Sequence, residues 1–240
     1  MIKDRTFKDL SPSKRVYYFM VLAILSLGYL FALLYTYQTH SGKDGEKGVT
    51  PEDIKIAYRG NGHKSTLEAA LSPGGIMSNN LLPAERDLII KWEKDGAGKE
   101  KYTAHIKGLI QGRCIFCHDG DTNPIKLKTY EDIATLTARD TGKSMGSLEK
   151  VSHIHLFGLA FIFYIVNRIF MHVEISDRWK CFLVALPFVA IMVDIISWWL
   201  TKFSWPFFAY VVYTSGIVMA LCFAFQVGIS MYQIVFVKIE

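Results

Sequence analysis

The sequence predicts an all-α membrane protein: four transmembrane helices, with a small helical domain placed between the first and second. Three observations carry this. Hydrophobic residues make up 51% of the 240 positions and mean hydropathy is +0.22, values high for a water-soluble chain. The apolar residues are gathered into four long runs almost free of charge. Between the first and second run lies a polar region in which apolar residues recur at helical spacing, with no alternating strand pattern.

The membrane helices follow from length. A hydrocarbon core of about 30 Å needs roughly 20 mainly apolar residues to cross it as a helix. The runs 16–37, 154–171, 181–200 and 207–237 satisfy this. The first is too long for the apolar core of a secretory signal, and no small-x-small cleavage site follows in TYQTHSG, so an uncleaved signal anchor is expected. Orientation follows from Lys and Arg in the short flanks. Lys3, Arg5, Lys8, Lys14 and Arg15 precede the first run; Arg168, Arg178 and Lys180 surround the 171–180 turn; the 201–206 turn has only Lys202. Both termini and the 171–180 turn are expected to be cytoplasmic. Residues 1–15 form the cytoplasmic segment, 16–37 the anchor, 38–150 the domain on the outer face, and 151–240 a three-helix membrane domain. Trp198, Trp199 and Trp205 suit an aromatic belt at the outer interface.

Residues 38–150 carry 17 Lys and Arg against 16 Asp and Glu, so they offer no basic face for nucleic acid. GNG and SPGG lack the preceding strand and the Lys of a phosphate loop. Helices are expected over 50–57, capped by Thr-Pro-Glu-Asp, and over 65–71, with a polar cap and Glu68 three residues on. Further helices are expected over 83–94, ended by Gly96, over 105–117, and over 129–138. SGKDGEKG (41–48) and RDTGKSMGSLEK (139–150) are expected to be flexible links.

Within the outer region, GRCIFCHDGD places Cys114, Cys117 and His118 in a C-x-x-C-H spacing. A zinc site would want a second Cys/His pair, and none follows at matching spacing. A Cys114–Cys117 disulfide would leave His118 unexplained. One covalent haem c uses all three residues: each thiol adds to a vinyl group and His118 becomes the proximal iron ligand. Candidates for the second axial ligand are Met77, Met145, His63, His105 and His40. A methionine there raises the haem potential and a histidine lowers it.

The segment SPGGIMSNNLLPAERDLIIKWEKDGA (72–97) is similar to the part of small monohaem cytochromes in which a methionine loop precedes a helix ending W-x-x-x-G-A. The likeness covers 65–133, with the methionine segment ahead of the haem-binding one. With Cys114, Cys117, His118 and the topology, the chain resembles membrane-anchored monohaem c-type cytochromes, whereas its membrane part matches no named cytochrome family. The resemblance implies a cytochrome c-like domain, Met77 as the first choice of distal ligand with Met145 as the alternative, and one-electron transfer on the outer, periplasmic face of a bacterial inner membrane.

Three further membrane helices exceed what anchoring one domain requires, and ionisable groups within them are functional candidates. Asp194 lies roughly 9 Å in from Leu200 along its helix; His153, His155, Tyr213 and Ser215 fall at similar depth. This cluster has three readings: proton acceptance from a bound quinol by Asp194 and His155, haem ligation by a histidine, or structural pairing of Asp194. Because His153 and His155 diverge by about 200° around a helix, they are not expected to share a site. Asn167 and Gln226 are expected to bond between helices, Cys181 and Cys222 to pack as small apolar residues, and Gly216 and Gly228 to allow close helix contact. The chain is expected to be an electron-transfer subunit of a respiratory complex rather than a complete enzyme. Its partners would be other membrane subunits, a redox partner cytochrome and the lipid bilayer. A quinol-oxidising cytochrome and a structural or sensory haem subunit are the alternatives.

Overall fold

The computed structural model describes residues 6–62, 64–121 and 125–237. Among these the protein is all-helical, with a single isolated bridge between Ser65 and Arg139 and no strand. In chain order the α-helices are α1 (Pro12–His40), α2 (Pro51–Arg59), α3 (Thr66–Leu71), α4 (Pro83–Lys94), α5 (Lys99–Lys101), α6 (Lys107–Arg113), α7 (Tyr130–Ala134), α8 (Met145–Phe170), α9 (Asp177–Phe203) and α10 (Phe208–Phe236). They fall into two compact units. One comprises the residues up to Gln38 with those from Ser144 onward, and the other is Thr39–Lys143.

In the Thr39–Lys143 unit the short helices begin where polar caps and prolines allow. Thr50 accepts from Asp53 N–H (3.1 Å), Asp53 accepts from Thr50 N–H (2.8 Å), and Pro51 takes the first helical position. Ser65 caps α3 through Glu68 N–H (2.9 Å), and Thr129 caps α7 through Asp132 N–H (3.2 Å). Glu85 accepts from Leu82 N–H at the start of α4. The core gathers Leu67 and Leu71 from α3, Ile89 and Trp92 from α4, and Tyr102, Ile106, Ile110, Leu127 and Ile133. Tyr102–Ile106 is a π-turn joining α5 to α6. Tyr102, Ile106 and Ile110 recur every fourth residue, and all three are buried. The expected helix over 105–117 is therefore displaced: it starts at Lys99 and stops at Arg113, before the cysteines.

The two expected flexible links are built structure instead. Gly42 N–H donates to Gly48 C=O, and Asp44 accepts from the Thr50 hydroxyl (2.6 Å) while its N–H donates to Asp53. Segment 139–143 lies against 57–64: Asp140 N–H donates to Lys64 C=O (2.8 Å), Lys143 N–H to Ala57 C=O (3.1 Å), and Asn61 N–H to the Asp140 carboxylate (3.0 Å). Gly60 and Gly142 permit this clasp. Both have positive φ (85° and 70°), and a Cβ on Gly142 would come within 2.4 Å of Gly60 N.

In the other unit α1, α8, α9 and α10 are each long and apolar enough to cross a membrane; α1 and α9 extend beyond their apolar runs at both ends, and α8 already starts at Met145, capped by Ser144. Pro187 sits within α9 and supplies no N–H for Leu183 C=O. Gln226 of α10 supplies that donor instead (2.7 Å), and Asn167 of α8 donates to the next carbonyl, Val184 (3.2 Å). Both side chains thus bond between helices as expected. At the same end Arg15, only 8% exposed, donates to Ile234 C=O (3.0 Å) and Val237 C=O (2.7 Å), carbonyls left over at the end of α10. Lys8 pairs with Glu174 (3.2 Å), whose N–H donates to Gln233. The N-terminal segment, the turn after α8 and the end of α10 therefore meet at one end of this unit.

Three expectations fail here. Gly216 and Gly228 make no close contact: a Cβ on either would touch nothing, because α10 buries its Ser215–Cys222–Gln226 side instead. Cys222 is buried, but Cys181 is exposed near the start of α9. Trp198 turns inward and is 6% exposed, so of the three tryptophans Trp205, at 71%, is the one placed as a belt residue would be.

Candidate functional site

Cys114, Cys117 and His118 occupy one tight turn after α6. His118 N–H donates to Cys114 C=O (2.9 Å), as does Cys117 N–H (3.2 Å), so the chain coils once more without continuing as helix. Cys114 is half-buried and packs against the core; Cys117 is exposed, and Phe116 between them is 92% exposed. Burial, with a smaller contribution from the nearby Glu85 charge, pushes the Cys114 thiol above its ordinary pKa. Glu85 is in turn held by Arg113 (3.1 Å), which ties the start of α4 to the end of α6 beside the motif. The cysteines are not joined in a disulfide.

His118 is 8% exposed, and its Nδ1 lies 3.0 Å from Ile125 C=O. A carbonyl only accepts, so Nδ1 carries the proton and Nε2 keeps its lone pair. That is the tautomer of a histidine ready to ligate a metal through Nε2, oriented by a backbone carbonyl. Leu127 N–H donates to His118 C=O (3.1 Å) and anchors the returning strand of chain. The carbonyl partner was absent from the sequence reading, since a backbone acceptor has no side-chain signature.

Met77 borders the same apolar cluster as Cys114, and Asn80 Nδ2 approaches its sulfur (3.5 Å). Met145 is instead the first residue of α8, half exposed, in the membrane unit. His105 is exposed on the π-turn. His40 ends α1, with its Nδ1 buried and unpartnered among the described residues. His63 lies outside the described residues. Among the described residues no three or more His, Cys, Asp or Glu side chains converge as an ion-binding group. A haem would ask the chain for fewer ligands than such a group supplies, and here His118 and a methionine are the side chains that would hold its iron.

The second cluster lies in the membrane unit. Asp194 is 5% exposed and accepts from the Ser215 hydroxyl of α10 (2.8 Å) and from the Trp198 side chain. His155 does not bond Asp194: its Nδ1 bonds Val151 C=O of its own helix (2.9 Å), and its ring meets Trp198 edge-on (5.2 Å between centroids). Trp198 thus stands between an exposed histidine and a buried carboxylate. His153 points elsewhere, against Phe157 (5.1 Å). Sequence reasoning missed Tyr29 of α1, which stacks on Phe223 (4.2 Å) and lies within electrostatic reach of Asp194.

Residues 138–240 match a family model described as a transmembrane helical domain. The match takes in α8, α9 and α10, including Asp194 and His155, and leaves out Met77 and the Cys114–His118 turn. No curated protein and no solved structure matches the chain. With four helices long and apolar enough to cross a bilayer, the chain is a multi-pass membrane protein in contact with lipid.

Proposed function

We propose that the chain is a membrane-anchored c-type cytochrome that transfers single electrons within a respiratory complex. Residues 39–143 then lie on the periplasmic face of a bacterial inner membrane, with both termini cytoplasmic. The observation that carries this reading is the His118 Nδ1–Ile125 bond, which leaves Nε2 available beside two cysteines at attachment spacing. Bound there, a haem supplies reversible one-electron chemistry at its iron. Cys114 and Cys117 tether it by thioether bonds, His118 is the proximal ligand, and the apolar cluster excludes water and holds Met77 as the distal candidate. The Asn80 contact to the Met77 sulfur supports Met77 over Met145, as does its packing against the same apolar cluster as Cys114.

The test is a haem-stained denaturing gel with a pyridine haemochrome assay on the full chain. One covalent haem per chain is expected, lost when both cysteines become serine; zero haem in the native chain would falsify the reading. Met77→Ala should abolish the methionine-to-iron absorption band of the oxidised chain. Met145→Ala should leave that band in place.

A second reading is that Asp194 accepts a proton from a quinol bound near His155 and Trp198, with its electron passed to the haem domain. The contact chain His155–Trp198–Asp194 favours it. Unchanged quinol-dependent reduction in Asp194→Asn would remove this reading and leave electron transfer in place.

A further inference from the structure

A buried polar seam runs along one side of α10. Ser215, Cys222, Gln226 and Ser230 are all buried, at intervals of seven, four and four residues, which return to one side of a helix. From Ser215 to Ser230 the rise is about 22 Å, most of a hydrocarbon core of about 30 Å. At one end Ser215 bonds Asp194. Near the Cys222 end of the long step from Ser215, Tyr29 of α1 stacks on Phe223 (4.2 Å). Beyond Ser230 come Gln233 and its bonds to the Glu174 backbone, next to the part-exposed Lys8–Glu174 pair.

Three oxygens along the lower half have no hydrogen-bond partner among the described residues: Asn167 Oδ1, Gln226 Oε1 and Ser230 Oγ. Their residues are 6%, 0% and 0% exposed. Polar atoms buried in this way are ordinarily satisfied by internal water, and lipid offers them nothing. The other end has the matching feature of a proton acceptor. Ser215 Oγ lies 2.8 Å from Asp194 Oδ1 and 2.9 Å from Val212 C=O. Its single proton can serve the carboxylate when Asp194 is ionised, and swing to Val212 when Asp194 is protonated.

We propose that this seam holds a file of internal waters that conducts protons between the aqueous end at Glu174 and the carboxyl group of Asp194. Each transfer breaks one O–H bond and forms another, so no oxidant or reductant is required. Asn167, Gln226 and Ser230 hold the waters in line, and Asp194 is the terminal acceptor, faced by Ser215 and Trp198. The proposal uses no residue of the outer unit and stands whether or not haem is attached.

The experiment is infrared difference spectroscopy on the full chain in liposomes. Its marker is the carboxylic C=O band that disappears in Asp194→Asn. In wild type this band should appear on acidification and shift within seconds of transfer to D2O. Ser230→Ala should slow that shift tenfold or more. Ser230→Thr and Ser230→Val, nearly equal in volume, should differ in the same sense, fast with the hydroxyl and slow without it. The proposal is overturned if no band sensitive to Asp194 exists, if the wild-type band does not exchange, or if the Thr and Val variants exchange equally fast.

Discussion

His118 has two ring nitrogens, and donating one proton to Ile125 decides the use of both. The C-x-x-C-H spacing was legible because it is written in side chains at fixed intervals, whereas the orienting carbonyl became visible only in the fold, where Ile125 C=O lies 3.0 Å from the ring. Glu93 makes a different case at the same scale. It sits half-buried on α4, with one oxygen unpartnered among the described residues. Burial, and the neighbouring Glu68, raise its carboxyl pKa against the opposing Ser65 bond and Lys94 charge. A carboxyl whose folded pKa is raised costs stability above that pKa, and the cost fades as pH falls through it. Glu93→Gln should therefore raise the thermal midpoint at pH 7, and the gain should vanish near pH 4; a gain independent of pH in melting curves would contradict this account.

At the scale of elements, α9 shows how a helix with an internal proline persists in lipid. The carbonyl stranded by Pro187 is claimed by Gln226, and its neighbour by Asn167, so the defect in one helix binds the other two to it. Gln226→Leu should cost about 1 kcal/mol, the usual net worth of such bonds. Most of that cost should disappear in a Pro187→Ala background, where the helix regains its own donor. A double-mutant cycle from reversible unfolding in mild detergent measures the coupling; additive costs would show that the two residues act independently. Helix starts were legible from Thr50, Ser65, Pro83 and Thr129, whose caps act within three residues. Which side of a membrane helix faces inward was not. Trp198 reads as an interface anchor by type but serves Asp194, and Gly216 reads as a packing surface but faces outward, because α10 is uniformly apolar apart from its polar seam.

At the scale of the molecule, the chain divides into two compact units. The Thr39–Lys143 unit carries its own apolar cluster, and the Gly60–Gly142 clasp ties its last residues back to the end of α2. Residues 39–143, exported alone, should be soluble and helical by circular dichroism. Gly142→Ala should lower that helicity, since an added Cβ would strike Gly60 N and Tyr58 C=O. A fragment insensitive to this substitution would show that the clasp is dispensable. The membrane unit is closed differently, by Arg15 at the start of α1 reaching the carbonyls of Ile234 and Val237 at the end of α10. That contact has a consequence in time as well as in space. Arg15 and its acceptors Ile234 and Val237 lie 219 and 222 residues apart, so α1 must wait in the bilayer while α8, α9 and α10 are made. Chains cut short before Ile234 would keep an uncompensated guanidinium at the bundle edge, a mark by which they differ from chains that carry α10 through to Val237.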